Sequence, residues 1–170
     1  MATRPANSHA PHGRRRGFAL IEALIAVLLL SLTALAYAAL QVRGLSANTS
    51  AMWRSKATIL AYELGDRMRA NRAAVTAGNY NALTVPGAPP ACGGVASCTP
   101  AQMAALDYAQ WSTEVGNLLP GGSGVVCRDS TPDDGAAAAP ACDGAGATFA
   151  VKLFWTEHGT PARLVVTVRP

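Results

Sequence analysis

Four cysteines are the residues of this chain whose chemistry is easiest to anticipate from type and spacing. They form no Cys-x-x-Cys pair and no histidine lies near them at zinc-finger spacing, which argues against a zinc site. An even number of cysteines after an export-type segment favours disulfides formed in an oxidising compartment. Three pairings are open, and we expect the sequence-adjacent one, which closes short loops. Its two pairs are Cys92–Cys98 and Cys127–Cys142.

The other polar residues form no recognisable catalytic arrangement. Serine, histidine and aspartate are present without a nucleophile elbow or a metal-binding motif. The aspartates of residues 129–147 lack the EF-hand spacing, so a solvated acidic loop is expected there in preference to a Ca²⁺ site. These aspartates are Asp129, Asp133, Asp134 and Asp143. We therefore predict no enzyme activity, no cofactor and no metal.

The net charge of +4 belongs to the N-terminus. Residues 1–17 contain four arginines and no acid, whereas residues 18–170 are formally neutral. Because no basic stripe interleaved with aromatic residues follows, we do not expect direct binding to nucleic acid. Arginines at 14–16, just before an apolar segment, are typical of a cytoplasmic region that sets membrane orientation.

Residues 18–40, FALIEALIAVLLLSLTALAYAAL, contain a single charge, Glu22. A helix of this length spans a bilayer core of roughly 30 Å. Apolar residues then recur with a period near 3.6, which extends the predicted helix to about residue 74. We expect a transmembrane half over 18–40 and an amphipathic half over 41–74. The buried stripe of the second half is predicted to be Trp53, Ala57, Leu60, Leu64 and Met68.

Residues 75–170 are expected to form a globular headgroup. Thr99-Pro100 is typical of the start of a helix, here over about 101–117, with an inner face predicted at Met103, Leu106, Trp111 and Val115. A short strand is expected at 125–128. The alternating segments FAVKLFWT and RLVVTVR, joined by the loop HGTPA, indicate a C-terminal hairpin. Together these elements predict an α+β fold, with a three- or four-stranded antiparallel sheet on the amphipathic helix.

Residues 14–27, RRRG-FALIEALIAV, resemble the processing signal of type IV prepilins and pseudopilins. The shared features are a basic leader, Gly17, Phe18 and a glutamate at the fifth position of the apolar helix, Glu22. Ala19 stands where that family usually has serine or threonine. The resemblance implies a pilin-like fold and removal of leader 1–17 by a prepilin peptidase and methyltransferase that methylates Phe18. It also implies that Glu22 pairs with the N-terminal amine of a neighbouring subunit during filament assembly.

The N-terminal segment is also compatible with three different signals. Ala36-Tyr37-Ala38 offers a site for signal peptidase I, although the apolar run exceeds the usual 7–15 residues of a secretory signal. That cut would release an exported binding domain. Arg15-Arg16-Gly17-Phe18 fits the core of a twin-arginine signal, but such signals are usually less hydrophobic. The third alternative is a plain single-pass anchor in which Glu22 is tolerated near the interface.

Further segments resemble one family of minor pilins, the PilV or type IV pilus modification proteins. They are Leu40-Gln41, the run RSKATILA at 54–61, DRMRAN at 66–71, LPGGSGVVC at 119–127 and WTE at 155–157. This resemblance implies a structural subunit that helps to initiate type IV pilus assembly, in a tip complex with other minor pilins. Pilus-dependent twitching motility or adhesion would follow. A minor pseudopilin of type II secretion remains the alternative.

The resemblance also implies partners and a location. Partners would be the prepilin peptidase, other minor pilins, the major pilin, the inner-membrane assembly platform and membrane lipid. The precursor would cross the inner membrane once, with its N-terminus cytoplasmic and its headgroup periplasmic, before joining the extracellular pilus. Asp66, Arg67 and Arg69 would either contact other subunits or form the solvated end of the helix, where cations suit the helix dipole.

Overall fold

The computed structural model describes residues 16–92 and 97–170, with side chains from residue 19 onward. The chain divides into two compact units, one ending at Ala47 and the other comprising Asn48–Pro170. The two shorter helices and all three named strands belong to the second unit. The elements are α1 (Arg16–Ala70), α2 (Arg72–Thr76), α3 (Pro100–Leu118), β1 (Ser123–Arg128), β2 (Phe149–Glu157) and β3 (Thr160–Val168).

Helix α1 ends at Ala70, earlier than the predicted end near residue 74. The cause is Asn71, whose side chain has more favourable partners outside a continuous helix. Its Oδ1 accepts a hydrogen bond from the backbone N–H of Ala74 and caps α2, and its Nδ2 donates to the carbonyl oxygen of Pro100 at 2.8 Å. The chain then turns at Gly78, where φ is +80°, a value that glycine adopts without strain.

The predicted apolar stripe of α1 is confirmed as the helix side of the core. Ala57, Leu60, Leu64 and Met68 are fully or almost fully buried, and Trp53 packs against them while partly exposed. They belong to one cluster with four residues that share a face of β2. Those residues are Phe149, Val151, Leu153 and Trp155. The period of 3.6 on the helix and the period of 2 on the strand therefore bury one common core.

Helix α3 begins where the sequence predicts, because Thr99 caps it. The Oγ1 of Thr99 accepts from the backbone N–H of Gln102, and the Gln102 side chain accepts from the backbone N–H of Thr99. The prediction of its inner face is wrong in part, since Met103 is exposed and Leu106 only half-buried. The observed inner face consists of Ala104, Tyr108, Trp111 and Val115, together with the buried Asp107.

The sheet is antiparallel with the strand order β1-β2-β3, which confirms an α+β, pilin-like architecture with three strands. The loop of the C-terminal hairpin is shorter than the predicted HGTPA. His158 and Gly159 alone form it, with φ values of +50° and +81°, and Thr160, Pro161 and Ala162 already belong to β3. Two positive φ values match the twist of a two-residue hairpin turn. Leu83 adds a single bridge to Val126, at the free edge of β1.

Strand β2 is covered on both faces, although its alternation of apolar and more polar residues would require only one buried face. Every residue from Phe149 to Trp155 is buried, including Ala150, Lys152 and Phe154 on the face turned away from the core cluster. A second layer therefore lies on this face. It is formed by residues 129–147, whose backbone and side chains contact Lys152 and Arg163.

Candidate functional site

The first unit presents an apolar helix that the described residues, 16–92 and 97–170, leave exposed. The most apolar 18-residue window of α1 has a mean hydropathy of 2.4, and none of it is buried. Large hydrophobic side chains are more than half exposed all around the helix, including Leu20, Ile25, Leu30, Leu35 and Leu45. A helix that is apolar on every side requires an apolar environment from elsewhere. Length and composition alone allow either a membrane span or an N-terminal signal sequence.

The hydroxyl groups of Ser31 and Thr33 in the apolar part of this helix donate to carbonyl oxygens of the helix itself. Ser31 Oγ donates to the carbonyl oxygen of Leu28 at 2.7 Å, and Thr33 Oγ1 donates to that of Leu30 at 2.8 Å. Such local bonds remove the need for water at these positions. Apart from Glu22 and the Tyr37 hydroxyl, the segment from Ala19 to Leu40 thus has little that opposes transfer into lipid or into a bundle of similar helices.

Glu22 is the exception in the apolar helix. It lies one helical turn after Phe18, and the next basic residue along the chain is Arg43. A carboxylate in the middle of a membrane costs about 2.5–3.5 kcal/mol on insertion scales and usually marks a functional pairing. Gly17 and Phe18 lie in the first turns of α1, and leader residues 1–15 fall outside the described part of the chain.

Three charged residues were predicted either to contact other subunits or to form the solvated end of α1, and the structure separates them. Asp66 and Arg69 pair with each other at 2.6 Å, and their side chains are 73% and 49% exposed. Arg67 is engaged within the protein, at 2.6 Å from Glu63 Oε1 and 3.0 Å from Gln110 Oε1. Asp66 and Arg69 are therefore accessible to a partner, whereas Arg67 joins α1 to α3.

Arg67 also belongs to a partly buried polar network that sequence reasoning missed. Its Nη1 lies 3.7 Å from Asp107 Oδ1, while Tyr80 donates its hydroxyl hydrogen to Asp107 Oδ2 at 2.5 Å. Burial lowers the pKa of Arg67, but the hydrogen bond to Glu63 and the surrounding carboxylates outweigh it, so the pKa lies above its ordinary value. Burial and the bond to Asp107 raise the pKa of Tyr80. The network fastens α3 and the segment after α2 to α1.

The four cysteines form the sequence-adjacent pairs. Cys92 is bonded to Cys98, and Cys127 to Cys142. Among the described residues, one group of potential metal ligands is close enough together to hold an ion. It consists of Cys127, Asp129 and Cys142. Both sulfurs are in the disulfide, so they are unsuitable as thiolate ligands.

The expectation of a solvated acidic loop is wrong for Asp129. This residue is 1% exposed and its Oδ2 lies 2.5 Å from the buried Nζ of Lys152. Asp143 instead bonds the hydroxyl and backbone N–H of Ser130. These bonds, led by the one from the Ser130 hydroxyl, lower the pKa of Asp143. Asp143 therefore binds within the loop, whereas Asp129 and Asp134 both pair with Lys152.

A long N-terminal helix, apolar and uncovered at its start and packed on a small antiparallel sheet at its end, defines the pilin class of architecture. Comparisons with known proteins point the same way. The prokaryotic N-terminal methylation motif matches residues 12–38, and the type IV pilin Tt1218 model matches residues 39–109. No curated protein and no solved structure matches the chain.

The two family matches adjoin each other and end within α3, so the strands lie outside both. Each match covers less than half of the chain. Together with the fold they make the chain similar to type IV pilins, a family that supplies structural subunits of pili. The methylation motif implies processing by a prepilin peptidase and assembly with other pilins, and the apolar helix fits anchoring in the inner membrane before assembly.

Proposed function

We propose that the chain is a minor pilin that helps to initiate type IV pilus assembly in a complex with other minor pilins. The observation that carries this proposal is the uncovered apolar helix with a single carboxylate, Glu22, at the fifth position after Gly17. The segments RSKATILA and DRMRAN add support, because they resemble the PilV family of minor pilins. The prepilin peptidase cuts between Gly17 and Phe18 and methylates the new amine.

In this proposal the same helix acts in two environments. It anchors the precursor in the inner membrane, with leader 1–17 in the cytoplasm and the headgroup in the periplasm. It then leaves the lipid and packs among the helices of other subunits in the pilus. Glu22 pairs with the N-terminal ammonium of a neighbouring subunit, which removes two charges from an apolar interior and sets the register.

A second contact surface lies on the outer side of α1, in the part of this helix that belongs to the second unit. Ile59 and Tyr62 are more than half exposed there, and the Asp66–Arg69 pair lies one turn further along the helix. Positions three and four residues apart share a helix face, so these side chains form one stripe opposite the buried one. We propose that this stripe contacts the other pilins of the complex. Arg67 lies outside the stripe and binds Gln110 of α3.

The N-terminus of the mature chain tests the processing step. Mass spectrometry of chain isolated from membranes and pili should find a peptide that begins with N-methylated Phe18. A chain that begins at Ala39 would instead support signal peptidase I and a released binding domain. An uncut chain would support a plain anchor. In a deletion strain, loss of pilus-dependent twitching supports the pilus, whereas loss of protein secretion supports the pseudopilin alternative.

Glu22→Ala tests the assembly step. Membrane insertion should be preserved, because the change removes a charge from the apolar segment, and incorporation into pili should fall about tenfold or more if the pair is worth at least 1.4 kcal/mol. The measurement is the ratio of chain in sheared pili to chain in membranes. Asp133→Ala, which removes one exposed carboxylate from the headgroup, is the control and should leave the ratio unchanged. Normal incorporation of Glu22→Ala contradicts the proposed pairing.

A further inference from the structure

The layer on the outer face of the sheet is attached to each of the three strands. We call residues 129–147 the outer loop. Cys127 of β1 is bonded to Cys142 of the loop, Lys152 of β2 reaches Asp129, Asp134 and Pro140, and Arg163 of β3 donates to the carbonyl oxygens of Asp133 and Gly135 at 2.8 and 2.7 Å. One disulfide and two cations therefore hold the loop against the sheet.

The ammonium of Lys152 is enclosed by oxygen atoms of this loop. Its Nζ lies 2.5 Å from Asp129 Oδ2, 2.9 Å from Asp134 Oδ1, 2.8 Å from the carbonyl oxygen of Pro140 and 3.2 Å from that of Asp134. The side chains of Lys152 and Asp129 have no solvent exposure. An ammonium has three hydrogen-bond donors, and Nζ donates to Asp134 Oδ1 and to the carbonyl oxygens of Asp134 and Pro140. Asp129 Oδ2 contacts it as an ion pair without hydrogen-bond geometry.

Two carboxylates and two backbone carbonyls are also the kind of oxygen ligands with which proteins bind Ca²⁺. Here the centre of the group is filled by a cation that is covalently part of the chain. A dissolved ion would have to displace a tethered ammonium whose side chain has no solvent exposure. The loop thus offers the oxygen ligands of a Ca²⁺ site, and the Lys152 ammonium already binds them.

We propose that the outer loop forms a cation site whose resident cation is the Lys152 ammonium, so that the loop keeps its conformation without any dissolved metal ion. The buried Asp129 carboxylate supports this proposal, because a buried charge requires a partner. Lys152 supplies that partner in every molecule, whatever the calcium concentration outside the cell. The inference concerns the headgroup alone and is independent of whether the chain is a minor pilin.

The experiment uses the full chain in detergent micelles, with thermal unfolding followed by near-ultraviolet circular dichroism of the buried tryptophans. The wild-type transition should shift by less than about 1 °C between millimolar CaCl₂ and EDTA. Lys152→Met should lower it by about 10 °C, because Asp129 is left buried and unpaired. Lys152→Met combined with Asp129→Asn should recover most of the loss. Lys56→Met, at the lysine of α1, is the control and should lower the transition by less than about 3 °C, although it removes a contact with the Trp53 ring.

Three results would overturn the proposal: stabilisation of the wild type by Ca²⁺ of several degrees, destabilisation by EDTA, or an unchanged transition in Lys152→Met. If Lys152→Met yields no folded protein, Asp129→Asn carries the test with Lys152 in place. A transition lowered by about 3 °C or more then supports the internal cation, and an unchanged transition opposes it.

Discussion

Gly124 illustrates how a single residue without a side chain sets the distance between two elements. A Cβ atom at this position of β1 would lie 2.3 Å from the Cη2 atom of Trp111. The Trp111 ring is fully buried, and its Nε1 donates to the carbonyl oxygen of Leu60 at 2.8 Å. The indole therefore has no free direction in which to move. Gly124 allows α3 to pack closely on both β1 and α1.

We expect Gly124→Ala to lower the free energy of unfolding by about 1–3 kcal/mol, since the added methyl group overpacks a rigid contact. The urea midpoint of the headgroup transition measures this loss. Gly87→Ala is the matched control, because a Cβ there meets no atom within 4 Å, and it should stay within about 0.5 kcal/mol of the wild type. Equal midpoints for the two variants would show that the Trp111 ring can move.

At the scale of elements, the ends of the helices follow from hydrogen bonds of side chains. Asn71 separates α1 from α2 because its amide caps the new helix and binds Pro100. Thr99 and Gln102 form a reciprocal pair at the start of α3, where backbone N–H groups otherwise lack partners. Since α3 contributes Tyr108 and Trp111 to the core, the cap at its first turn also stabilises the packing of the core.

Thr99→Ala should lower the free energy of unfolding by about 1 kcal/mol, because the backbone N–H of Gln102 loses its acceptor. Thr99→Ser keeps an acceptor oxygen and should resemble the wild type. Urea unfolding of the three proteins provides the comparison. A Thr99→Ser variant as unstable as Thr99→Ala would mean that packing of the threonine methyl group, and not capping, stabilises this helix end.

At the scale of the whole molecule, the two units meet water in different ways. The unit that ends at Ala47 exposes the apolar side chains of one helix, whereas Asn48–Pro170 encloses a core and several buried polar groups. Tyr108 is one of these groups, with its hydroxyl bonded to the Gly124 carbonyl oxygen at 2.9 Å. Burial raises the pKa of Tyr108 to about 12. Burial lowers the pKa of Lys152, but its bonds to Asp129 and Asp134 outweigh this, so that pKa also lies above its ordinary value.

These shifts predict that the headgroup loses stability above about pH 10. Above that pH the unfolded chain releases protons from tyrosine and lysine while the folded chain retains them, so the unfolded state is favoured increasingly. Urea unfolding at intervals between about pH 7 and pH 12 measures the slope. Tyr108→Phe should remove part of the slope, whereas Tyr62→Phe, at an exposed tyrosine, should leave it intact. An identical slope in Tyr108→Phe would contradict the assigned pKa.

Local patterns in the sequence were sufficient for the apolar helix, the stripe from Ala57 to Met68, the Thr99 cap and the hairpin. Each is encoded by residues within about one turn of a helix or a few positions of a strand. The sequence alone also located the excess charge in residues 1–17 and made Glu22 conspicuous.

The tertiary structure decided which polar residues are buried and what they bind. Lys152 occupies a position of β2 that the alternating pattern assigns to the outer face of the sheet. It is buried because the loop that carries Asp129 and Asp134, which precede it by 23 and 18 positions, folds back over this face. Arg67 is similarly held by a hydrogen bond to Gln110, 43 residues further along the chain. Burial and pairing across such separations depend on how loops fold back over the sheet, and the periodicity of a single segment carries no information about that return.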